Sequence, residues 1–117
     1  MKKLFATTLV FLSSVASAGS ATLSWTAPTQ YEDGSALPAS ELANYKIYYG
    51  NSTGVYSGFI TVSAATTSYT VNNLTSGLTY YFVVTAVATN AQESVYSNEG
   101  VKVIPSTKKP KSPTGLR

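Results

Sequence analysis

The chain has 117 residues, a formal net charge of +3, 11% charged residues, and neither cysteine nor histidine. A disulfide framework, a thiolate nucleophile, a Cys/His zinc site and every histidine-dependent catalytic triad are therefore excluded. The length suits one domain.

The chain starts with Lys2 and Lys3, followed by a mostly apolar run from Leu4 to Leu12 and by small residues ending in Ala16-Ser17-Ala18. This is the order of a secretory signal peptide, and it predicts cleavage after Ala18 and a secreted, periplasmic or extracellular product. The alternative is an uncleaved N-terminal helix or anchor. The apolar run is well short of the roughly 20 residues that span a bilayer. No second long run follows, so no membrane span is expected after cleavage.

Charge is divided unevenly along the chain. Lys108, Lys109, Lys111 and Arg117 all lie in the last ten positions. Between Gly19 and Pro105, Lys46 and Lys102 stand against Glu32, Asp33, Glu41, Glu93 and Glu99, a balance of −3. A nucleic-acid partner needs Lys and Arg clustered on the fold, so none is expected. The reading is 1–18 signal peptide, 19–105 domain and 106–117 basic, proline-containing tail.

The middle of the chain reads as strands. Ala21, Leu23 and Trp25 alternate with Thr22, Ser24 and Thr26, the period of a half-buried strand. A loop from Ala27 to Glu41 carries Pro28, Asp33-Gly34 and Pro38 as turn signals. Tyr45, Ile47 and Tyr49 alternate with Lys46 and Tyr48. Shorter strands are expected at Phe59–Val62, Tyr69–Val71 and Glu99–Ile104, with the longest at Thr79–Thr89. Evenly spaced short strands with turn signals between them argue an all-β, antiparallel β-sandwich.

From Ala21 to Pro105 these residues resemble a fibronectin type III domain, an immunoglobulin-like sandwich. Thr22-Leu23-Ser24-Trp25 resembles strand B with its core tryptophan. Tyr45, Ile47 and Tyr49 match the inward positions of strand C. Leu74, six residues before Tyr80, resembles the E–F corner, with Ser76-Gly77 where the family has Pro-Gly. The resemblance implies that the Tyr80 hydroxyl bonds to upstream backbone while its ring packs in the core. It also implies a core of Leu23, Trp25, Tyr45, Ile47, Val71, Leu74, Tyr80, Phe82, Val84 and Val103. Strand A is missing or very short, because only Gly19 and Ser20 separate the expected cleavage site from strand B. A stretch resembling the start of a strand A stands at the other end, Lys111-Ser112-Pro113-Thr114-Gly115-Leu116-Arg117. Residues 111–117 are therefore read as an idle tail, a tandem-array remnant, or a strand donated to a neighbouring copy.

No residue constellation supports catalysis, and no cofactor or metal site is expected. Glu32 and Asp33 are adjacent in a loop rather than held apart across a cleft. The candidate binding residues are Tyr48, Tyr81 and Val83 on the outward faces of strands C and F, with Tyr31, Tyr56, Asn90 and Gln92 in loops. Apolar area on a solvent face and Tyr/Asn-rich loops can mark contact sites, although outward residues also pair across strands simply to stabilise a sheet. The expected role is a non-catalytic secreted module that binds a protein or glycan at a cell or particle surface. The alternative is a structural or self-associating subunit of an extracellular assembly.

Overall fold

Period-two alternation becomes two antiparallel sheets in the computed structural model, which describes residues 9–11, 19–106 and 111–115. The strands are β1 (Leu9–Phe11), β2 (Ala21–Trp25), β3 (Leu42–Gly50), β4 (Gly58–Ser63), β5 (Ser68–Val71), β6 (Thr79–Ala88) and β7 (Gly100–Val103). A turn of 3-10 helix, Ala39–Glu41, precedes β3. One sheet has the order β1-β2-β5 and the other β4-β3-β6-β7. Among the described residues no helix is long and apolar enough to cross a membrane.

The inward residues of both sheets form one core. Leu23, Tyr45, Ile47, Phe82, Val84 and Ala86 are fully buried, and Trp25, Val71, Leu74 and Tyr80 nearly so. The Trp25 and Tyr45 rings meet edge to face at 5.3 Å, an arrangement that complements the aromatic quadrupoles. At the corner before β6, the Thr75 backbone N–H donates to the Tyr80 hydroxyl at 2.9 Å. Gly77 there has φ +83°, which lets Ser76-Gly77 make the turn without proline.

One expectation changes. Val103 is 62% exposed, and Ile104 takes the core position instead. The reason is register: Val101 pairs with Tyr81 and Val103 with Thr79, both on the outer face of β6. A one-residue change of parity exchanges the faces of a whole strand. Gly100 and Ile104 consequently face inward.

The strand beside β2 is very short, as expected. The place is taken by Leu9–Phe11, a three-residue strand drawn from the segment read above as the apolar centre of a leader. Its register is Leu9 opposite Trp25, Val10 opposite Ser24 and Phe11 opposite Leu23. A short apolar run suits an edge strand as well as a leader, since both need β-branched and large apolar residues without charge.

Candidate functional site

Parity along β3 decides which side chains reach solvent. Tyr45 and Ile47 point into the core, so Lys46 and Tyr48 stand on the outer face of the four-stranded sheet. Tyr48 pairs with Phe59 of β4 on one side and Val83 of β6 on the other. The Tyr48 and Phe59 rings lie 5.5 Å apart. The Lys46 ammonium sits 5.0 Å from the Phe59 ring centroid, a cation–π contact worth about 0.5–1 kcal/mol at an exposed site. Val83 is buried although it faces outward, because other residues cover it.

The segment between β6 and β7 lies along the free edge of β6. A turn at residues 88–92 is closed by Ala88 N–H donating to the Gln92 carbonyl at 2.9 Å. The chain then runs back beside β6, with Ser94 N–H donating to Ala86 O at 2.8 Å and Ser97 N–H to Val84 O at 3.0 Å. Between these anchors the chain bulges. In place of backbone carbonyls, the Ser94 hydroxyl accepts from Ala86 N–H at 2.9 Å and the Ser97 hydroxyl from Val84 N–H at 2.8 Å. Both serines are buried, so the buried amides of β6 stay satisfied while the backbone departs from the ladder. The bulge lifts Val95 and Tyr96 into solvent, each more than half exposed.

Tyr96 completes a row of rings. It meets Tyr48 at 5.3 Å and Tyr56 at 5.3 Å, both edge to face. Tyr56 is brought there by the tight β3–β4 connection, where Ser52 and Val55 form an isolated bridge. Gly50 makes this possible: a Cβ at that position would lie 2.1 Å from the Val55 carbonyl oxygen. The row therefore runs Phe59, Tyr48, Tyr96, Tyr56. An open cleft of about 440 Å³ beside it is lined by Tyr48, Glu93, Ser94, Val95 and Tyr96.

Two carboxylates lie beneath the row. Glu93 Oε2 accepts from the Tyr48 hydroxyl at 2.6 Å and from Thr85 Oγ1 at 2.7 Å, with Lys46 Nζ 3.6 Å from Oε1. Glu99 accepts from the Tyr56 hydroxyl, from Thr53 Oγ1 at 2.7 Å and from Gly54 N–H at 3.0 Å. Burial works against the charged form of Glu93, but hydrogen bonds from Tyr48 and Thr85, helped by Lys46, hold its carboxyl below the ordinary range. Hydrogen bonds from Tyr56 and Thr53 do the same for Glu99. The tyrosines move the other way: burial, then the bond to its glutamate, raises Tyr48 well above a free phenol and pushes Tyr56 up to about 12. With both carboxyls held ionised, neither is suited to general-acid chemistry at neutral pH.

The remaining expected binding residues lie outside the ring row. Tyr81 is half-buried on the same face, with Gly50 and Val101 as its cross-strand partners. Tyr31 is only 4% exposed, and its hydroxyl donates to Glu41 Oε1 at 2.6 Å. The loop from Ala27 to Glu41 folds back through a Gln30–Ala36 bridge, so this tyrosine joins the core rather than the loop surface. Asn90 and Gln92 shape the turn after β6, the Asn90 side chain accepting from Gln92 N–H at 2.9 Å. Glu93 stands with Asn90 and Gln92 in a loop whose composition suits recognition, whereas Phe59, Tyr96 and Glu99 carry no contact signal in the sequence. Pairing Tyr48 with the β4 strand could have found Phe59; Tyr96 lies in a bulge that carries no periodic signal.

Comparison with known proteins bears on the fold. The family model described as "Fibronectin type III domain" matches residues 8–100. No curated protein matches the chain. The fn3 domain of human collagen alpha-1(XX) chain is similar at 17% identity and TM-score 0.65, over 97% of this chain and 96% of that one. Part of a beta-1,2-glucanase from Parabacteroides distasonis is similar at 20% identity and TM-score 0.68, over 90% of this chain but 13% of the glucanase chain. The FN1-FN3 domains of chicken CNTN1 give 17% identity and TM-score 0.60, over 86% of this chain and 31% of that one. At these identities the likeness is one of fold.

Proposed function

We propose a protein-binding role for this chain, which belongs to the fibronectin type III domain family: a non-catalytic module that takes a protein partner on the outer face of its four-stranded sheet. The family is typically non-catalytic and commonly serves binding or adhesion. The observation that carries the reading is the ring row Phe59–Tyr48–Tyr96–Tyr56, flanked by exposed Val55, Val95 and Val101. Contiguous apolar surface rimmed by polar groups fits an interface core, where aromatic anchors dominate the energy.

A protein partner fits this face better than a glycan does. A glycan site needs polar groups aimed outward to read sugar hydroxyls. Here the Tyr48 and Tyr56 hydroxyls and both carboxylates already bond one another. The exposed Phe59, Val55, Val95 and Val101 add ring and methyl surface. Export of the module, and its action at a cell or particle surface, belong to the same proposal; the leader-like pattern at residues 2–18 supports them.

The test compares retention of the purified chain on cell-surface preparations before and after the surface is altered. Binding is expected to fall at least tenfold for Phe59→Ser with Tyr96→Ser, and to disappear when the surface is pretreated with protease. Retention unchanged by the double substitution, or abolished by periodate oxidation of glycans and not by protease, overturns the reading.

A further inference from the structure

β1 is held to the fold by one neighbour in its sheet, β2, and it belongs to the segment whose pattern predicts removal at Ala18. Cleavage there would strip a strand from the edge of β2 at Leu23, Ser24 and Trp25. An edge opened in this way presents unpaired N–H and C=O groups beside a hydrophobic core and is a template for a strand from another chain.

We propose that the β2 edge, once cleared of β1, is filled by residues 111–117 of a second copy, giving a head-to-tail assembly. Three observations converge on that occupant. First, the described part of the segment, Lys111–Gly115, is exposed and outside every described strand. Its sequence resembles the opening of the strand that β1 replaces, and Pro113 is tolerated there because an edge strand can turn its N side to solvent.

Second, the direction is right. Leu74 N–H donates to Gly19 O at 2.8 Å and Gly77 N–H to Ile104 O at 2.9 Å. These bonds place the start of β2 and the end of β7 at one pole, with Trp25 towards the other. On its own domain the tail would have to climb past β2, roughly 17 Å for five residues, and reverse before pairing antiparallel. A copy stacked below that pole presents its Trp25 end to the emerging chain directly. Residues 105 to 111 reach at most about 25 Å, enough to enter the neighbour.

Third, charge is complementary. In the donor, Lys108 and Lys109 precede the pairing stretch and Lys111 opens it, as Lys2 and Lys3 precede Leu9 in the leader. In antiparallel pairing those lysines arrive at the Trp25 end of β2. The loop leaving that end carries Glu32 and Asp33, both exposed, followed by Glu41. The contact is heterologous, so repetition yields an open filament rather than a closed ring.

The test uses the whole chain with a site-specific protease site replacing residues 16–18, cut only after folding. Light scattering is expected to show one chain's mass before cutting and at least a doubling afterwards. The growth should weaken at high salt, vanish when residues 111–117 are deleted, and be capped by a synthetic peptide of residues 7–13. A cut chain that stays monomeric once the freed leader peptide has been removed overturns the proposal, and so does one that unfolds without associating. Growth that persists without residues 111–117 overturns it as well, since it then reflects general aggregation.

Discussion

The Tyr48 hydroxyl donates a 2.6 Å hydrogen bond to Glu93, 45 residues away in sequence, and so ties the centre of β3 to the bulged segment after β6. The bond has a consequence for stability against acid. Glu93 and Glu99 both have carboxyls held below their ordinary value of 4.5 in the fold. A depressed carboxyl binds its proton less readily folded than unfolded, so the stabilisation is complete above about pH 4.5 and is lost as pH falls through the folded value. The urea midpoint is expected to decline below pH 4.5 in the natural chain. In Glu93→Gln with Glu99→Gln it should start lower at pH 7 and fall less steeply. Equal slopes in the two proteins would show that these carboxylates do not govern the acid limb.

Two buried tyrosines should respond oppositely to loss of their hydroxyls. Tyr80 accepts from Thr75 N–H, so Tyr80→Phe leaves a backbone donor at the corner without its partner. A loss of about 1–2 kcal/mol in denaturant unfolding is expected. Tyr45 is fully buried, and among the described residues neither its hydroxyl nor the Trp25 indole nitrogen has a well-formed hydrogen bond, the two interacting only weakly with each other. Tyr45→Phe removes an unsatisfied polar atom and keeps the ring contact with Trp25, so stability should stay within about 0.5 kcal/mol or rise. If both variants lose the same amount, the hydroxyl of Tyr45 has a partner in solution.

Gly50 is the most restricted glycine of the site. A methyl group there meets backbone, the Val55 carbonyl oxygen at 2.1 Å, and not a side chain that could swing away. Gly50→Ala is therefore expected to open the β3–β4 connection at about 1–3 kcal/mol. It should also displace Tyr56 from Tyr96, reducing the near-UV circular dichroism of the ring row. Gly54 has open space around it, but its φ of +75° makes Gly54→Ala an imperfect control. Full retention of the near-UV signal in Gly50→Ala would mean that the ring row does not depend on the hairpin geometry.

The legible parts of the molecule were those where one local rule acts alone. Trp25, Tyr45, Ile47, Phe82 and Val84 follow strict alternation and lie in the core. Tyr80 was identifiable from its spacing to Leu74. Val103 takes the outer face because alternation gives the period of a strand and not its phase; pairing with Thr79 sets the phase. Tyr31 was misplaced because a tyrosine in a polar loop has both an apolar ring and a polar tip, and here tertiary packing takes the ring inward. Tyr96 was invisible for a different reason. Its position depends on two serines that stand in for backbone carbonyls, and Ser-rich stretches occur throughout this chain. The strand Leu9–Phe11 shows that one apolar run can satisfy two patterns, and composition does not choose between them.

Those two serines supply the last prediction. Ser94 and Ser97 accept from the amides of Ala86 and Val84, and each hydroxyl donates to a neighbouring carbonyl, Val95 O at 2.9 Å and Asn98 O at 3.0 Å. Ser94→Ala or Ser97→Ala leaves a buried β6 amide without an acceptor, which costs about 1–3 kcal/mol. Ser→Thr can keep the hydroxyl, and a partial rescue is expected where the added methyl fits. The segment also carries Tyr96, so loosening it should raise hydrogen exchange at Ala86 and Val84 and weaken the partner contact together. The surface substitution Tyr96→Ser should weaken the contact with no change in exchange at those amides. If Ser94→Ala leaves exchange at Ala86 unchanged, the hydroxyl is not that amide's acceptor, and the placement of Tyr96 must rest on its ring contacts with Tyr48 and Tyr56 alone.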